Sequence, residues 1–162
     1  MSELRIGLGY DVHAFAAGRP LVLGGVTVPH ESGLVGHSDA DVLVHALMDA
    51  ILGALREGDI GRLFPDTDPA FSGISSIELL RQVTGLMEGR GYRLTDADTV
   101  IVAERPKLAP YRDQMRETIA DALGVDAASV GVKATTTEGL GFEGRSEGMA
   151  AHAVVLLQRV TP

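Results

Sequence analysis

Asp11 and His13 lie two residues apart in an apolar segment, and His45 lies on a predicted helix; these three residues constrain the fold most. On an extended strand, residues i and i+2 point to the same face, so Asp11 and His13 can hold one ion together. A nitrogen of His45 would complete an Asp/His/His set, which suits zinc and leaves a fourth ligand position open for chemistry. The pattern therefore favours a fold that brings this strand and this helix together.

Each of these residues also has a simpler interpretation. Asp11 and His13 can mark the end of a strand, where the aspartate begins a turn and the histidine is half-buried. His45 can be a solvent-facing helix histidine paired with acid, since Asp41 and Asp49 lie four residues to either side of it. A ligating histidine usually donates its other ring N–H to a carboxylate or a carbonyl, and Asp41 or Asp49 could serve as that acceptor.

The composition limits the class of protein. A chain of 162 residues can bury a full core, and we expect a single domain over residues 1–162. The net charge of −8 argues against a nucleic acid or an anionic membrane as the main partner. Cysteine is absent, so any metal site must use His, Asp and Glu. The sequence resembles neither a signal peptide nor a membrane span, which predicts a cytoplasmic protein.

The hydrophobic pattern predicts an α+β fold, in which helices cover one face of a mixed sheet. Helices are predicted from about Ser38 to Leu55 with Ser38 as N-cap, from Ser75 or Ser76 to Glu88, and over 110–123. Strands are predicted at 4–13, 21–23, 26–28, 97–103, 130–134 and 150–160. The stretches 58–73 and 135–148 are predicted loops.

Polar residues at the ends of these elements indicate anion binding. The N–H groups of a first helical turn bind anions, and His37, next to Ser38, can add a donor to phosphate; ordinary capping explains Ser38 equally well. Three threonines at 135–137 leave a strand, where hydroxyl groups suit phosphate, and Glu138 can reach a hard cation such as magnesium. The alternative is a β-branched strand that runs into a flexible turn. His30 and His152 are interpreted as structural.

Five segments match a known family in content, order and spacing. They are 9–15 (GYDVHAF), 37–41 (HSDAD) continuing to 45–47 (HAL), 59–61 (DIG), 64–68 (FPDTD) and 133–138 (KATTTE). Together they resemble the 2-C-methyl-D-erythritol 2,4-cyclodiphosphate synthase family, from about Arg5 to Leu157. The resemblance implies an enzyme of non-mevalonate isoprenoid biosynthesis, a phosphorus–oxygen lyase.

The family's reaction converts 4-diphosphocytidyl-2-C-methyl-D-erythritol 2-phosphate into the cyclic diphosphate and releases CMP. The 2-phosphate of the substrate attacks the β-phosphorus of its own diphosphate, so no side chain needs to act as nucleophile. The protein must fold a highly anionic molecule onto itself and neutralise the repulsion between its phosphates.

The resemblance also implies roles for particular residues. Asp11, His13 and His45 would hold zinc, and Glu138 would lie near a second divalent ion, magnesium or manganese. His37 and Thr136 match positions that stabilise the transition state. Besides Asp11, His13, His37, Thr136 and Glu138, the residues expected to bind substrate are Ser38, Asp59, Ile60, Gly61, Phe64, Pro65, Asp66, Thr67, Asp68, Ala103, Glu104, Arg105, Pro106, Lys107, Leu108, Ala109, Thr135, Thr137, Phe142 and Arg145.

Within that set, 64–68 would close over the substrate, and 103–109 with 135–137 would form the cytidine and phosphate pocket. The family is a homotrimer with active sites between neighbouring subunits, which implies that the sheets face the trimer axis. Phe142 and Arg145 can instead face a central cavity, where Arg145 in a glycine-rich loop suggests an isoprenoid diphosphate as a feedback ligand.

Two other functions compete with this interpretation. One is a metal-dependent hydrolase that cuts a nucleotide diphosphate with water, using Asp39, Asp41 or Glu138 as general base. The other is a non-catalytic module that binds metal or nucleotide. The reaction products separate the first from a cyclase, and metal binding without turnover would identify the second.

Overall fold

The protein is built around a five-stranded mixed sheet. The structure is a computed structural model that describes residues 3–160. Residues 1, 2, 161 and 162 of the expected domain lie outside that description. The strands are β1 (Leu4–Ala17), β2 (Leu21–Leu23), β3 (Val26–Val28), β4 (Ser32–Leu34), β5 (Tyr92–Val102), β6 (Val130–Thr135) and β7 (Gly148–Arg159).

The sheet has the order β4-β1-β7-β5-β6, while β2 and β3 form a separate two-stranded hairpin. Strands β5 and β6 pair in parallel, and the other pairs are antiparallel. Two parallel strands require a crossover connection, and the segment between β5 and β6 contains a helix that packs against β6.

The helices are α1 (Val42–Leu55), α2 (Ile60–Leu63), α3 (Ser76–Gly89), α4 (Arg112–Leu123) and α5 (Gly141–Gly144). The three long helices, α1, α3 and α4, lie on one face of the sheet. Helix α1 packs directly on β1 and β7, α3 packs beside α1, and α4 packs beside α3. Nearly all of α1 is buried, since it lies between the sheet and its neighbouring helices. None of the helices within residues 3–160 has the length and apolar character needed to cross a membrane.

The predicted α+β class, with helices on one face of a mixed sheet, is confirmed. Several boundaries are corrected. Strand β1 continues to Ala17, β4 was not predicted, and the predicted loops 58–73 and 135–148 contain the short helices α2 and α5.

The start of the first long helix is also corrected. Its N-cap is Asp41 and not Ser38, because the Asp41 carboxylate accepts hydrogen bonds from the backbone N–H groups of Val44, Gly24 and Gly25. One buried carboxylate thus caps α1 and joins it to the β2–β3 turn, which a sequence pattern around Ser38 cannot reveal.

Candidate metal centre and substrate cleft

Three side chains converge where β1 meets α1. The Oδ2 atom of Asp11 lies 2.8 Å from Nε2 of His13 and 3.2 Å from Nδ1 of His45, and those two nitrogens are 3.2 Å apart. Two ligand atoms of a tetrahedral zinc ion, each about 2.0–2.1 Å from the metal, are about 3.3 Å from one another. The Asp/His/His set thus has the composition and the spacing of a zinc site.

The hydrogen bonds around this set leave its inner atoms without donors. Nδ1 of His13 lies 2.7 Å from the carbonyl oxygen of Val35, which can only accept, so Nδ1 has a proton and the neutral ring has its lone pair on Nε2. Oδ2 of Asp11 is buried, and among the described residues it has no hydrogen-bond partner outside the set. A buried carboxylate oxygen that faces ring nitrogens with lone pairs fits a bound cation.

The charges of the set support the same conclusion. Burial alone would raise the pKa of Asp11, but in the metal-free protein hydrogen bonds from protonated His13 and His45, and their positive charge, outweigh it and lower that pKa to about 2. Burial alone would lower the pKa of His13, but the Asp11 carboxylate outweighs it and raises that pKa. The carboxylate is therefore ionised at neutral pH and attracts positive charge to this point.

The second nitrogen of His45 has a partner that sequence reasoning missed. Nε2 of His45 lies 2.9 Å from Oγ of Ser76 and 3.1 Å from Oγ of Ser38. The expectation that Asp41 or Asp49 would fill this role is wrong, because Asp41 binds backbone N–H groups and Asp49 accepts from the N–H of Ile60. Ser76 is 31 positions from His45, and no local pattern connects the two residues.

A cleft of about 410 Å³ opens beside the metal set. Of the residues expected to bind substrate, it brings together His37, Ser38, Ile60, Gly61, Phe64, Pro65 and Asp66 with Asp11, His13 and His45. Gly36, Met48, Phe71 and Leu79 complete its walls and were not expected from the sequence. No sequence signal marks these four residues, since they become neighbours only when α1, α3, the 58–73 segment and the segment before α1 pack together.

The other expected residues of the 59–68 segment shape the cleft from outside. Asp59 caps α2 by accepting from the N–H of Arg62, and the Asp68 carboxylate accepts from the N–H of Ala70. Nε2 of His37 donates to the backbone carbonyl of Asp68 at 3.0 Å, which ties the two sides of the cleft together. Thr67 is exposed and does not line the cleft.

The residues expected to bind the nucleotide lie elsewhere on the sheet. Asp11 pairs with Ala151, Ala151 with Ile101, and Ile101 with Ala134, so all four lie in one row across β1, β7, β5 and β6. Three strand spacings put Asp11 about 14 Å from Ala134, the residue before the three threonines. Within one chain, Thr136 and Glu138 therefore follow a different strand and do not join the metal set.

The loop after β6 is held by Glu104. Its carboxylate accepts from the N–H of Thr137 at 3.0 Å and from the N–H of Gly139 at 3.3 Å, while the Thr137 hydroxyl donates to the carbonyl oxygen of Leu140. These contacts flank Glu138, which is exposed and has a φ of +55°. A non-glycine residue in this region of φ is uncommon and is often found at functional sites.

A smaller cleft of about 180 Å³ lies beside this loop. Leu108 and Ala109, from the expected cytidine segment, line it together with Arg112, Lys133 and Ala134. Ala103 is buried, whereas Arg105 and Lys107 are exposed and Pro106 is half-buried. In the same chain Phe142 is half-buried in α5, and the Arg145 guanidinium pairs with Glu147 at 3.1 and 3.2 Å.

Fold and site together define a protein of the α+β class with a candidate metal centre at the edge of a polar cleft. A family model described as the YgbB family matches residues 4–158, and the chain belongs to that family. The resemblance drawn from the five segments is thereby confirmed.

Named relatives agree over nearly the full length. A protein of Syntrophotalea carbinolica named 2-C-methyl-D-erythritol 2,4-cyclodiphosphate synthase is 64% identical over 156 residues, which are 96% of this chain and 95% of that protein. A protein of the same name from Desulfitobacterium hafniense is 62% identical over 157 residues, or 97% of this chain and 99% of that one.

Solved structures share the fold. The bifunctional IspDF of Campylobacter jejuni matches with a TM-score of 0.93 and 47% identity over 97% of this chain, which spans 42% of that longer one. IspF of Plasmodium falciparum, in a complex with CDP, matches with a TM-score of 0.87 and 32% identity, over 99% of each chain.

Proposed function

We propose that this protein converts 4-diphosphocytidyl-2-C-methyl-D-erythritol 2-phosphate to 2-C-methyl-D-erythritol 2,4-cyclodiphosphate and CMP by metal-dependent intramolecular phosphoryl transfer. The observation that carries the proposal is the convergence of Asp11, His13 and His45 beside a cleft of about 410 Å³, in a chain 62–64% identical to proteins named for this activity. The reaction would belong to non-mevalonate isoprenoid biosynthesis, be classed as a phosphorus–oxygen lyase, and take place in the cytoplasm.

The chain's own residues would bind and orient the substrate. When bound, zinc at Asp11, His13 and His45 and magnesium or manganese near Glu138 supply positive charge that offsets the charge of the diphosphate. His37, at the edge of the cleft, would hold the 2-phosphate near the β-phosphorus, with Ser38 beside it. The Thr136 hydroxyl would donate to the phosphoryl oxygens as charge develops there.

We further propose that the active unit is a homotrimer whose active sites lie between subunits. The separation between the metal set and the Thr136–Glu138 loop supports this, because one substrate would have to span about 14 Å of sheet within a single chain. An apolar sheet face supports it as well. The side chains of Ile6, Leu8, Tyr10 and Val12 on β1 and Val154 on β7 are 43–70% exposed on the face opposite the helices.

Arg145 carries a separate element of this proposal. Its exposed side chain follows α5 in a glycine-rich loop, and it would bind the diphosphate of an isoprenoid in a cavity on the trimer axis. Isothermal titration with an isoprenoid diphosphate is expected to show weaker binding by Arg145→Ala, while Arg93→Ala serves as the control. Equal binding by both variants would remove Arg145 from this role.

Phosphorus NMR of the purified protein with the cytidyl diphosphate substrate tests the main proposal. With magnesium present, we expect the coupled resonances of a cyclic diphosphate together with CMP. A linear phosphate product would indicate a hydrolase, and unchanged substrate in the presence of both metals would indicate a binding module.

The structure disfavours the alternative of a nucleotide-diphosphate hydrolase, because two of its three candidate general bases already accept several hydrogen bonds from the protein. The Asp41 carboxylate is fully buried under three backbone N–H groups. The Asp39 carboxylate accepts from Ser76 and from the N–H of Asp41, and neither aspartate lines the cleft. Of the three candidates, Glu138 alone remains exposed, and it is the residue assigned to the second ion.

A further inference from the structure

We propose that Ser76 and Asp39 are positioning residues that hold the His45 ring in its Nε2–H tautomer, so that Nδ1 presents a lone pair to the metal. This inference rests on the metal centre of the proposed function. It adds two residues that are not themselves metal ligands and do not line the cleft.

The direction of each hydrogen bond follows from chemistry. The Asp39 carboxylate can only accept, and its Oδ1 lies 2.5 Å from Oγ of Ser76, so the serine hydroxyl donates to it. Oδ2 of the same carboxylate accepts from the backbone N–H of Ser76 at 3.0 Å. Both oxygens of Asp39 thus hold Ser76, and the serine proton is directed away from His45.

The remaining lone pairs of the serine oxygen then face the imidazole. Oγ of Ser76 lies 2.9 Å from Nε2 of His45 and accepts from it, which requires the proton to be on Nε2. Nδ1, on the other side of the ring, is left with its lone pair directed toward Asp11 and His13. Ser76 is fully buried, so water does not compete for this bond.

Without this hydrogen bond, the Asp11 carboxylate would favour the opposite tautomer. Oδ2 of Asp11 lies 3.2 Å from Nδ1 of His45, and in the metal-free protein it attracts a proton to that nitrogen. His13 has its own fixed acceptor in the Val35 carbonyl, which holds the proton on Nδ1. The two histidines therefore present different nitrogens to the same point, and each is oriented by an acceptor outside the set.

Ring-nitrogen NMR of metal-free protein labelled with ¹⁵N-histidine tests the inference, at about pH 8, above the ordinary imidazole pKa. We expect the Nε2–H tautomer for His45 in the wild type and a shift toward Nδ1–H in Ser76→Ala. Zinc affinity, measured by competition with a chelator, should fall about tenfold or more in Ser76→Ala, as is typical when a ligating histidine loses its outer partner.

Ser75→Ala is the matched control, since Ser75 is exposed at the same helix end and makes no side-chain capping bond. Because Oγ of Ser38 lies 3.1 Å from the same nitrogen, Ser76→Ala is also compared with the Ser38→Ala/Ser76→Ala double variant. Unchanged tautomer signals in both, or an equal loss of zinc affinity in Ser75→Ala, would overturn the inference. Both readouts are independent of turnover. If the wild type shows the expected tautomer and binds zinc but forms no cyclic product, the proposed reaction fails and the positioning role stands.

Discussion

Gly9 on β1 lies so close to Ala46 on α1 that a Cβ atom at Gly9 would stand 1.8 Å from the Ala46 carbonyl oxygen. Two residues earlier, a Cβ at Gly7 would stand 1.8 Å from the carbonyl oxygen of Ala50. Glycine at both positions lets the helix rest directly on the strand. This close approach brings His45 within 3.2 Å of the carboxylate of Asp11.

Gly9→Ala should therefore weaken both folding and metal binding. The added methyl group meets backbone and cannot be accommodated by a rotamer change, so we expect a loss of about 2–3 kcal/mol in the free energy of unfolding, together with weaker zinc binding. Gly85→Ala is the control, because Gly85 lies in α3 and a methyl group added there would meet no atom within 4 Å apart from its chain neighbours and the backbone of its own helix. That variant should gain up to about 1 kcal/mol, and urea titration of both would show the contrast.

His45→Ala should remove zinc and activity together, since one of three protein ligands is lost. Elemental analysis of the purified variant gives the metal content directly. His30→Ala controls for the loss of an imidazole, because His30 packs against the Phe15 ring outside the metal set. Full zinc content in His45→Ala would contradict the assignment of the site.

Glu138→Gln should keep zinc and lose much of the magnesium-dependent rate. The amide preserves the shape of the side chain but removes the negative charge that a hard cation prefers. A magnesium titration of initial rates should show a higher half-saturating concentration than in the wild type. Glu143→Gln, in α5 of the same loop region, is the control, and an identical titration for Glu138→Gln and wild type would exclude the role.

Mixed assemblies should recover activity from two inactive variants. If sites form between subunits, His45→Ala and Thr136→Ala damage different contributions to one site, so some sites in a co-refolded mixture are intact. We expect measurable turnover in the mixture and little in either variant alone. Light scattering should give a trimer mass for each sample, and an inactive mixture of confirmed mixed trimers would argue against shared sites.

Asp41→Asn should change how stability depends on pH. Burial and the charge of Asp39 raise the pKa of Asp41 to about 6 from 3.8, even though three backbone N–H groups act in the opposite direction. The folded chain thus binds this proton more tightly than the unfolded chain. The contribution of Asp41 to stability is therefore fully present below pH 3.8 and is lost as the pH rises through about 6.

The measurement is the free energy of unfolding of wild type minus that of Asp41→Asn, followed across this pH range by denaturant titration. We expect the difference to decrease as the pH rises. At neutral pH the variant should still be less stable by about 1–3 kcal/mol, because an amide N–H replaces one acceptor of a buried backbone donor. Asp126→Asn, an exposed cap, is the control, and a difference that rises with pH would refute the assignment.

Local pattern was sufficient for much of the fold. The period of the apolar residues predicted the three long helices and most strands, because burial of one face imposes that period on the sequence. The apolar pattern does not predict which face of β7 is buried. Val154 is exposed there, whereas the adjacent Val155 is buried. Both are apolar, and only the position of the helices decides which one is buried.

In the candidate site, too, some features follow from local sequence and others depend on tertiary contacts. The spacing of Asp11 and His13 is enough to place both side chains on one face of a strand, whereas the cap at Asp41 and the partner Ser76 depend on contacts between distant segments. Sequence reasoning chose Ser38 as the cap because it considers neighbours along the chain. In the structure the cap is Asp41, whose buried carboxylate also accepts hydrogen bonds from backbone N–H groups of the β2–β3 turn.

By itself, the sequence determined the helices, most of the strands, the family and the residue types that can hold a metal, since these depend on local periodicity and on side-chain chemistry. Tertiary structure decided which nitrogen of each histidine faces the metal set and which residues line the cleft. It also placed Ala134 about 14 Å from Asp11, with Thr136 and Glu138 in the loop that follows that strand. Those outcomes depend on packing between segments far apart in the chain, where a close approach such as that of Gly9 to Ala46 sets the distance.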